Sequence, residues 1–368
     1  MKLTSRIVHA YRTRIFFGSD ALSEITKWNH YDTARIFILV DPGSMEFCLP
    51  VLLQYLPEWK DARILRVPAG EEYKTHETVI RLWGELMVAQ AGRDTLLVTL
   101  GGGMVSDLGG FVAAGYKRGI TCIHIPTTLL GQVDAAIGGK TGININQVKN
   151  QVGFFYTPAA VFIYPGFLQT LPSEQLRSGL AEIIKTALIG DARLWKKIKS
   201  HPVDELMKTP VDSVIWRHLM AGAIACKNNI VKKDFFEKNL RGALNFGHTI
   251  GHAIESLSLS RWNRPLLHGE AVAIGMVCAA WLSWKKTGLA KQDMEEIACY
   301  IRNGFYMPPF QQEELPLLID LLAHDKKNRN LQVRFSLLVA PGSSKINIPC
   351  GAEEISGALN YYLQMGQP

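Results

Sequence analysis

The stretch "TLLVTLGGGMVSDLGGFVAA", Thr95 to Ala114, decides the fold. It opens as a short apolar, β-rich run, passes three successive glycines at Gly101 to Gly103, and continues with helical character. Strand, glycine turn, helix is the pattern of a βα unit, in which helices cover a parallel sheet. Glycines at such a turn let the backbone approach a pyrophosphate, and the following helix offers open N–H groups and its positive dipole end. The fit to G-x-G-x-x-G is imperfect because Ser106 stands at the third glycine position, so a tight turn without a ligand accounts for the motif alone equally well. The next polar segment, "IPTTLLGQVDAAIGGKTGIN", adds Thr127, Thr128, Asp134 and a second glycine pair before Lys140. That is more polar and glycine content than a simple connection between core elements requires.

Outward from this unit the same alternation persists. "ARIFILVD" (Ala34 to Asp41) reads as a buried strand that delivers Asp41 to its C-terminal end, and "ITCIHIP" (Ile120 to Pro126) reads as another. From about Leu171 the pattern becomes helical. "SEQLRSGLAEIIKTALIG" carries a plausible cap at Ser173, and helical stretches follow at Asp212 to Asn229, Leu244 to Ser256, Glu270 to Lys286 and Asp293 to Asn303. One β-rich run, "QVRFSLLVA" (Gln332 to Ala340), interrupts them. The expectation is an α/β domain with a mostly parallel sheet over residues 1–168, followed by a mainly α-helical domain over 169–368.

Composition narrows the classes. A chain of 368 residues with 47% hydrophobic and 20% charged residues suits a globular protein with a sizeable core. The apolar run Ala271 to Trp284 is too short to span a bilayer and is closed by Lys285 and Lys286, and the first six residues lack the apolar stretch of a signal peptide. Six scattered cysteines with no C-x-x-C pair suit reduced thiols in a cytoplasm. The net charge of +7 comes without an arginine-rich arm, so a pocket for a small anionic substrate explains it better than nucleic-acid binding.

"LNFGHTIGHAIES", Leu244 to Ser256, is the second informative stretch. On a continuous helix Arg241, Asn245, His248 and His252 share one face, opposite Phe246, Ile250, Ala253 and Ile254. Gly247 and Gly251 thin the flank of that stripe, so a ligand or another backbone can come close. Two imidazoles one turn apart can share a metal ion, but Thr249 replaces the glutamate of H-E-x-x-H, and a catalytic zinc needs about three protein ligands. Glu182 and His268 are further candidates; their bland readings are an exposed pair with Lys185 and a helix-start residue. Spacing alone leaves the ligand set open.

These segments, in this order, resemble the 3-dehydroquinate synthase family. The resemblance runs from "PAGEEYK" (Pro68 to Lys74) to "DKK" (Asp325 to Lys327) and includes "GGGMVSDLGGFVAAGYKRG", "LRGALNFGHTIGHAIE" and "HGEAVAIGM". It implies an NAD-binding α/β domain and a helical metal-binding domain. It implies a zinc or cobalt ion on Glu182, His248 and His268, with His252 as a catalytic neighbour. Substrate contacts carried over are Asp134, Lys140, Asn150, Lys185, Lys227, Arg241, Asn245 and Lys326, with Arg118 reaching the site of a neighbouring subunit in a homodimer. The implied NAD contacts are Asp41, Glu71, Lys74, Gly103, Asp107, Thr127, Thr128, Lys140, Lys149, Thr170 and Leu171. Glu174 and Phe235 depart from the family pattern, which carries arginine and an acidic residue there.

The implied reaction converts 3-deoxy-D-arabino-heptulosonate 7-phosphate to 3-dehydroquinate and phosphate. Transient oxidation at C5 acidifies the C6 proton, phosphate leaves from C7, and the hydride returns before ring opening and aldol closure. His252 and Asn245 fall to proton relay and orientation, Lys140, Asn150, Lys326 and Arg118 to phosphate, and Lys185, Lys227 and Arg241 to the metal side and carboxylate. The alternatives are another sugar-phosphate cyclase, a metal-dependent polyol dehydrogenase and an inactive NAD-binding scaffold.

Overall fold

The computed structural model describes residues 6–9, 11–28, 31–145, 148–308, 310–323 and 332–365. Its strands are β1 (Arg6–His9), β2 (Arg14–Phe17), β3 (Ile36–Val40), β4 (Arg63–Arg66), β5 (Leu96–Gly101), β6 (Thr121–Pro126), β7 (Ile143–Ile145), β8 (Val148–Val152), β9 (Ala160–Ile163), β10 (Val333–Ala340) and β11 (Ser343–Cys350). The first six helices are α1 (Leu49–Tyr55), α2 (His76–Val88), α3 (Gly103–Gly115), α4 (Ser173–Gly190), α5 (Ala192–Lys199) and α6 (Val203–Lys208). They are followed by α7 (Val214–Lys233), α8 (His248–Arg261), α9 (His268–Lys286), α10 (Lys291–Gly304), α11 (Leu315–Ala323) and α12 (Ala352–Met365). The chain forms two compact units: Met1–Pro172 with Pro210–Phe235, and Ser173–Thr209 with Phe236–Pro368.

The first unit is built on a sheet of order β1-β2-β9-β6-β5-β3-β4, parallel throughout except for β1 against β2. β3 is buried along its whole length, with Ile36, Ile38 and Val40 in one apolar cluster and Phe37 and Leu39 in another. That two-sided burial explains why its sequence is a continuous apolar run and not an alternation. α7 belongs here although it is helical: it packs against the turn Gly131–Ala135, and its buried Trp216, Leu219, Met220 and Ile224 supply the apolar side.

The second unit is helical around α9. This helix is buried over nearly all of its length and packs with α4, α8, α10, α12 and β10, so the most membrane-like run of the sequence is a core helix. Among the described residues no helix is long and apolar enough to cross a membrane. The β10–β11 hairpin completes the unit.

The expectation of one helix carrying the polar stripe is corrected. Leu240–Asn245 is a short 3₁₀ turn, Phe246 is extended, and α8 begins only at His248. Gly247 between them has φ 79°, a left-handed conformation that breaks the helix. Arg241 and Asn245 therefore sit on a different element from His248 and His252. The glycines instead admit another backbone: a Cβ at Gly275 would lie 1.9 Å from the Gly247 carbonyl oxygen, and one at Gly251 would lie 2.9 Å from that of Ala271. α8 and α9 thus touch main chain to main chain.

Candidate active site

Each unit carries one group of chemically suggestive residues. In the first, β3 and β5 are neighbours whose connections leave in opposite directions, β3 toward β4 and β5 toward β6. Such a reversal opens a crevice beyond the carboxyl ends of the strands, where nucleotides bind in open α/β sheets. Asp41 follows β3 directly, and its Oδ1 accepts from Ser44 N at 2.7 Å. Gly102 caps α3 without a side-chain hydrogen bond, which leaves the first-turn N–H groups for a ligand. Thr127 donates its backbone N–H to the Gly101 carbonyl at 2.9 Å, and Thr128 Oγ1 accepts from Gly131 N at 3.1 Å, so both threonines stand at the glycine turn that leads to Gly103.

Beside this turn lies a buried cation. Lys74 Nζ contacts Glu71 Oε1 at 2.7 Å, Asp107 Oδ2 at 3.2 Å and Asn150 Oδ1 at 2.8 Å. Burial opposes its charge, but Asp107 and Glu71 outweigh that cost and raise its pKa. Asn144 ties the network together, donating to Glu71 Oε1 at 3.1 Å and accepting from Asn150 N at 2.9 Å. Lys227, brought by α7, is buried against Asp134, with Nζ 2.5 Å from Oδ1 and 2.7 Å from the carbonyl.

The other sequence candidates of this unit are placed more loosely. Lys140 is exposed, and its backbone bridges Phe155. Lys149 lies half-buried on β8, and Thr170 and Leu171 close a 3₁₀ turn where their bonds go to Phe167 and Leu168. Arg118 is exposed on a turn where Lys117, Arg118 and Gly119 all have positive φ, of 48°, 67° and 113°. Lys326 lies outside the described residues. Phe235, which departs from the family pattern, is buried; its ring stacks on Tyr11 at 4.3 Å between centroids and meets Phe155 at 5.7 Å. It also covers Gly139, the residue before Lys140, where a Cβ would lie 3.0 Å from its ring.

The second unit gathers Glu182, His248, His252 and His268 from three helices. Gly269 N donates to Ser178 Oγ at 2.9 Å, which docks the start of α9 on α4 one turn before Glu182. The α8–α9 contact brings in the histidine pair. Glu182 is fully buried, and its Oε1 has no hydrogen-bond donor in good geometry. The neighbours of Oε1 are His248 Nε2 at 3.5 Å and His268 Nε2 at 3.4 Å. A tetrahedral metal about 2.1 Å from each ligand separates ligand atoms by about 3.4 Å. The donor set and spacing therefore fit a divalent ion. Lys185 Nζ, also buried, lies 2.5 Å from Glu182 Oε2, so the bland alternative of an exposed pair does not hold.

Electrostatics agree. Burial would raise the Glu182 carboxyl, but Lys185, His248 and His268 hold it well below the usual range. Burial pushes His248 down to about 3, leaving a neutral imidazole that can offer a lone pair. His268 goes the other way: despite burial, Glu182 and Glu255 push it up to about 10. The surplus negative charge held by that proton is what a metal cation would neutralise. His252, exposed one turn after His248, completes a trio whose nitrogen atoms lie within 4.8 Å of one another.

Two carboxylates escaped the sequence reading. Glu237 Oε1 accepts from Asn245 Nδ2 at 3.2 Å, with no periodic signal to mark it. Glu255 faces His268, and its spacing of seven from His248, two turns on one helix face, was the available clue.

The comparisons with known proteins follow this geometry. Residues 64–178 match the model of the 3-dehydroquinate synthase N-terminal region, and residues 179–328 match that of the C-terminal region. The chain is 41% identical over 328 residues to a 3-dehydroquinate synthase of Parabacteroides distasonis, covering 89% of this chain and 91% of that one. Among solved structures it resembles a 2-deoxy-scyllo-inosose synthase complexed with carbaglucose-6-phosphate, NAD+ and Co2+, with TM-score 0.85 and 25% identity over 97% of this chain and 100% of that one. It also resembles a 2-epi-5-epi-valiolone synthase from Streptomyces hygroscopicus with NAD+ and Zn2+ bound, with TM-score 0.79 and 27% identity over 90% and 91% of the two chains.

Proposed function

The chain belongs to the 3-dehydroquinate synthase family, and from that premise we propose how its residues divide the conversion of 3-deoxy-D-arabino-heptulosonate 7-phosphate to 3-dehydroquinate and phosphate. It is a phosphate-eliminating carbon–oxygen lyase that uses NAD catalytically with a divalent metal, zinc or cobalt. When bound, NAD supplies a reversible hydride acceptor, and the metal supplies a Lewis acid for the substrate oxygens. The observation that carries the reading is Glu182 Oε1, fully buried and flanked by two imidazole nitrogens at 3.4 and 3.5 Å. Glu182, His248 and His268 hold the metal, and exposed His252 beside them carries a proton.

The crevice at Asp41, Gly103, Thr127 and Thr128 takes NAD, with Glu71, Lys74, Asp107, Lys140, Lys149, Thr170 and Leu171 as its further contacts. Asn150 accepts from Lys74 through Oδ1, and its Nδ2 is the group that would donate to a phosphate oxygen. Asn245 is the reverse case: Nδ2 goes to Glu237, leaving Oδ1 to accept from a substrate hydroxyl. Lys140, Arg118 and Lys326 add charge for a leaving group of about two negative charges. Lys185, Lys227 and Arg241 serve the metal side and the carboxylate, and Asp134 fixes Lys227. The active unit is a cytoplasmic homodimer in which Arg118, held exposed on its left-handed turn, serves the neighbouring subunit's site. The N-terminal 1–168 is the NAD-binding domain and 169–368 the metal- and substrate-binding domain, with Lys227 and Asp134 acting as one pair.

The test is to incubate the purified protein with the heptulosonate phosphate, NAD+ and zinc, and to identify the products. One phosphate and one dehydroquinate per substrate, with no lasting NADH, is the expected result. NADH that accumulates with phosphate still attached to carbon would replace this reading with a polyol dehydrogenase. In Lys140→Ala, phosphate release should slow while metal content holds.

A further inference from the structure

Glu255 is a buried carboxylate that none of the roles above employs. It lies on α8 seven residues after His248 and is 5% exposed, among Ile250, Ala253, Ile254 and Leu257. Burying a carboxylate is costly unless it is paired. Its Oε2 stands 3.4 Å from His268 Nδ1, while the other nitrogen of that ring, Nε2, stands 3.4 Å from Glu182 Oε1. The imidazole of His268 thus bridges two carboxylates that come from different helices, α4 and α8.

We infer that Glu255 is a positioning residue for the metal: it accepts the Nδ1–H of His268 and so presents the Nε2 lone pair toward Glu182. The inference rests on the metal-site reading above. Only one nitrogen of a neutral imidazole carries a proton, so fixing that proton at Nδ1 makes Nε2 the donor. His248 uses the same device with a backbone partner, its Nδ1 lying 3.3 Å from the Phe246 carbonyl. The two supports are not equivalent. A carbonyl only orients the ring, whereas a carboxylate also raises the basicity of the ligand and adds negative charge near the ion.

A merely structural role is the competing account, as a brace for the corner between α8 and α9. That corner has its own fastenings. Leu266 N donates to Ser258 Oγ at 3.0 Å, and Leu267 N donates to Glu270 Oε2 at 2.9 Å. Neither bond involves the Glu255 side chain.

The experiment uses the full-length chain, stripped of metal by chelation and titrated with Zn2+ against a chromophoric competitor; the Co2+ absorption spectrum is a second readout. Wild type should take one ion per chain. Glu255→Ala should bind about a hundredfold more weakly, and Glu255→Gln, which keeps an acceptor but loses the charge, about tenfold more weakly. Both should shift the Co2+ bands and leave the near-ultraviolet circular dichroism of the metal-free protein unchanged. If the alanine variant fails to fold, the isosteric glutamine carries the test alone. Wild-type affinity with an unshifted Co2+ spectrum in the folded variants would overturn the role of Glu255. Failure of the wild-type protein to take one ion would instead overturn the metal site itself.

Discussion

Gly275→Ala offers a sharp test of how the helices build the metal site. A methyl group at this position would lie 1.9 Å from the Gly247 carbonyl oxygen and 2.8 Å from Gly251 N, both main-chain atoms that cannot rotate away. An ordinary carbon–oxygen contact is about 3.3 Å, so α8 and α9 must part by about 1.4 Å to admit it. Metal–ligand distances tolerate about 0.2 Å. His248 begins α8 and His268 begins α9, so the displacement falls between two of the proposed ligands. Overpacking of this kind costs about 1–3 kcal/mol, a loss a folded protein can survive. The variant should therefore fold with a lowered melting temperature and bind Zn2+ at least about a hundredfold more weakly, the upper end of what losing a supporting contact costs. Gly84→Ala is the control: nothing lies within 4 Å of its would-be Cβ, and the change should stabilise α2 by about 0.5–1 kcal/mol without touching metal affinity. Competitive zinc titration with parallel thermal melts reads both. A Gly275→Ala protein that binds one zinc with wild-type affinity would refute the argument that main-chain contact sets the ligand spacing.

Further tests address individual side chains. His252→Ala should keep its metal and lose most of its turnover, whereas Glu182→Ala and His268→Ala should lose the metal; full occupancy in His268→Ala would make His252 the ligand. His124, buried on β6 with Nδ1 2.7 Å from Thr99 Oγ1, is pushed down by burial to about 4. Its folded pKa lies below the unfolded value of about 6.5, so its stabilising contribution is complete above that value and lost as pH falls through about 4. The difference is worth about 3 kcal/mol, and His124→Gln should flatten the acid limb of a stability–pH profile measured by urea unfolding in chelator; an unchanged limb would exclude this histidine as the cause. Phe235→Ala removes the ring that covers Gly139, so the turn carrying Lys140 should loosen. KM for the heptulosonate phosphate should rise about tenfold with little change in NAD affinity, and Phe235→Tyr should restore it. Equal losses in both affinities would point to general destabilisation.

The main strands and helices were legible in the sequence because periodicity and turn chemistry are local properties. The apolar runs at Ile36–Val40 and Leu96–Gly101 read as buried strands, the triple glycine read as the turn that ends one of them, and Ser173–Gly190 carried its own helical spacing. The family segments supplied the proposed site residues, which the sequence pattern alone left open. What tertiary structure decided was which faces meet. Spacing predicted a single stripe from Arg241 to His252, but Gly247, packed against Gly275, is left-handed and splits it. Local pattern allowed Glu182 and Lys185 to be a solvated pair, whereas packing of α4 buries both and sets the carboxylate beside two imidazoles. α7 reads as one more helix of the later chain, yet its apolar side packs with the first unit, and so Lys227 reaches Asp134, 93 residues away. Glu255 gains its significance only from His268 on the next helix. A sequence records which side of an element is apolar; it does not record which partner covers that side, because the partner is chosen by contacts summed over the whole fold.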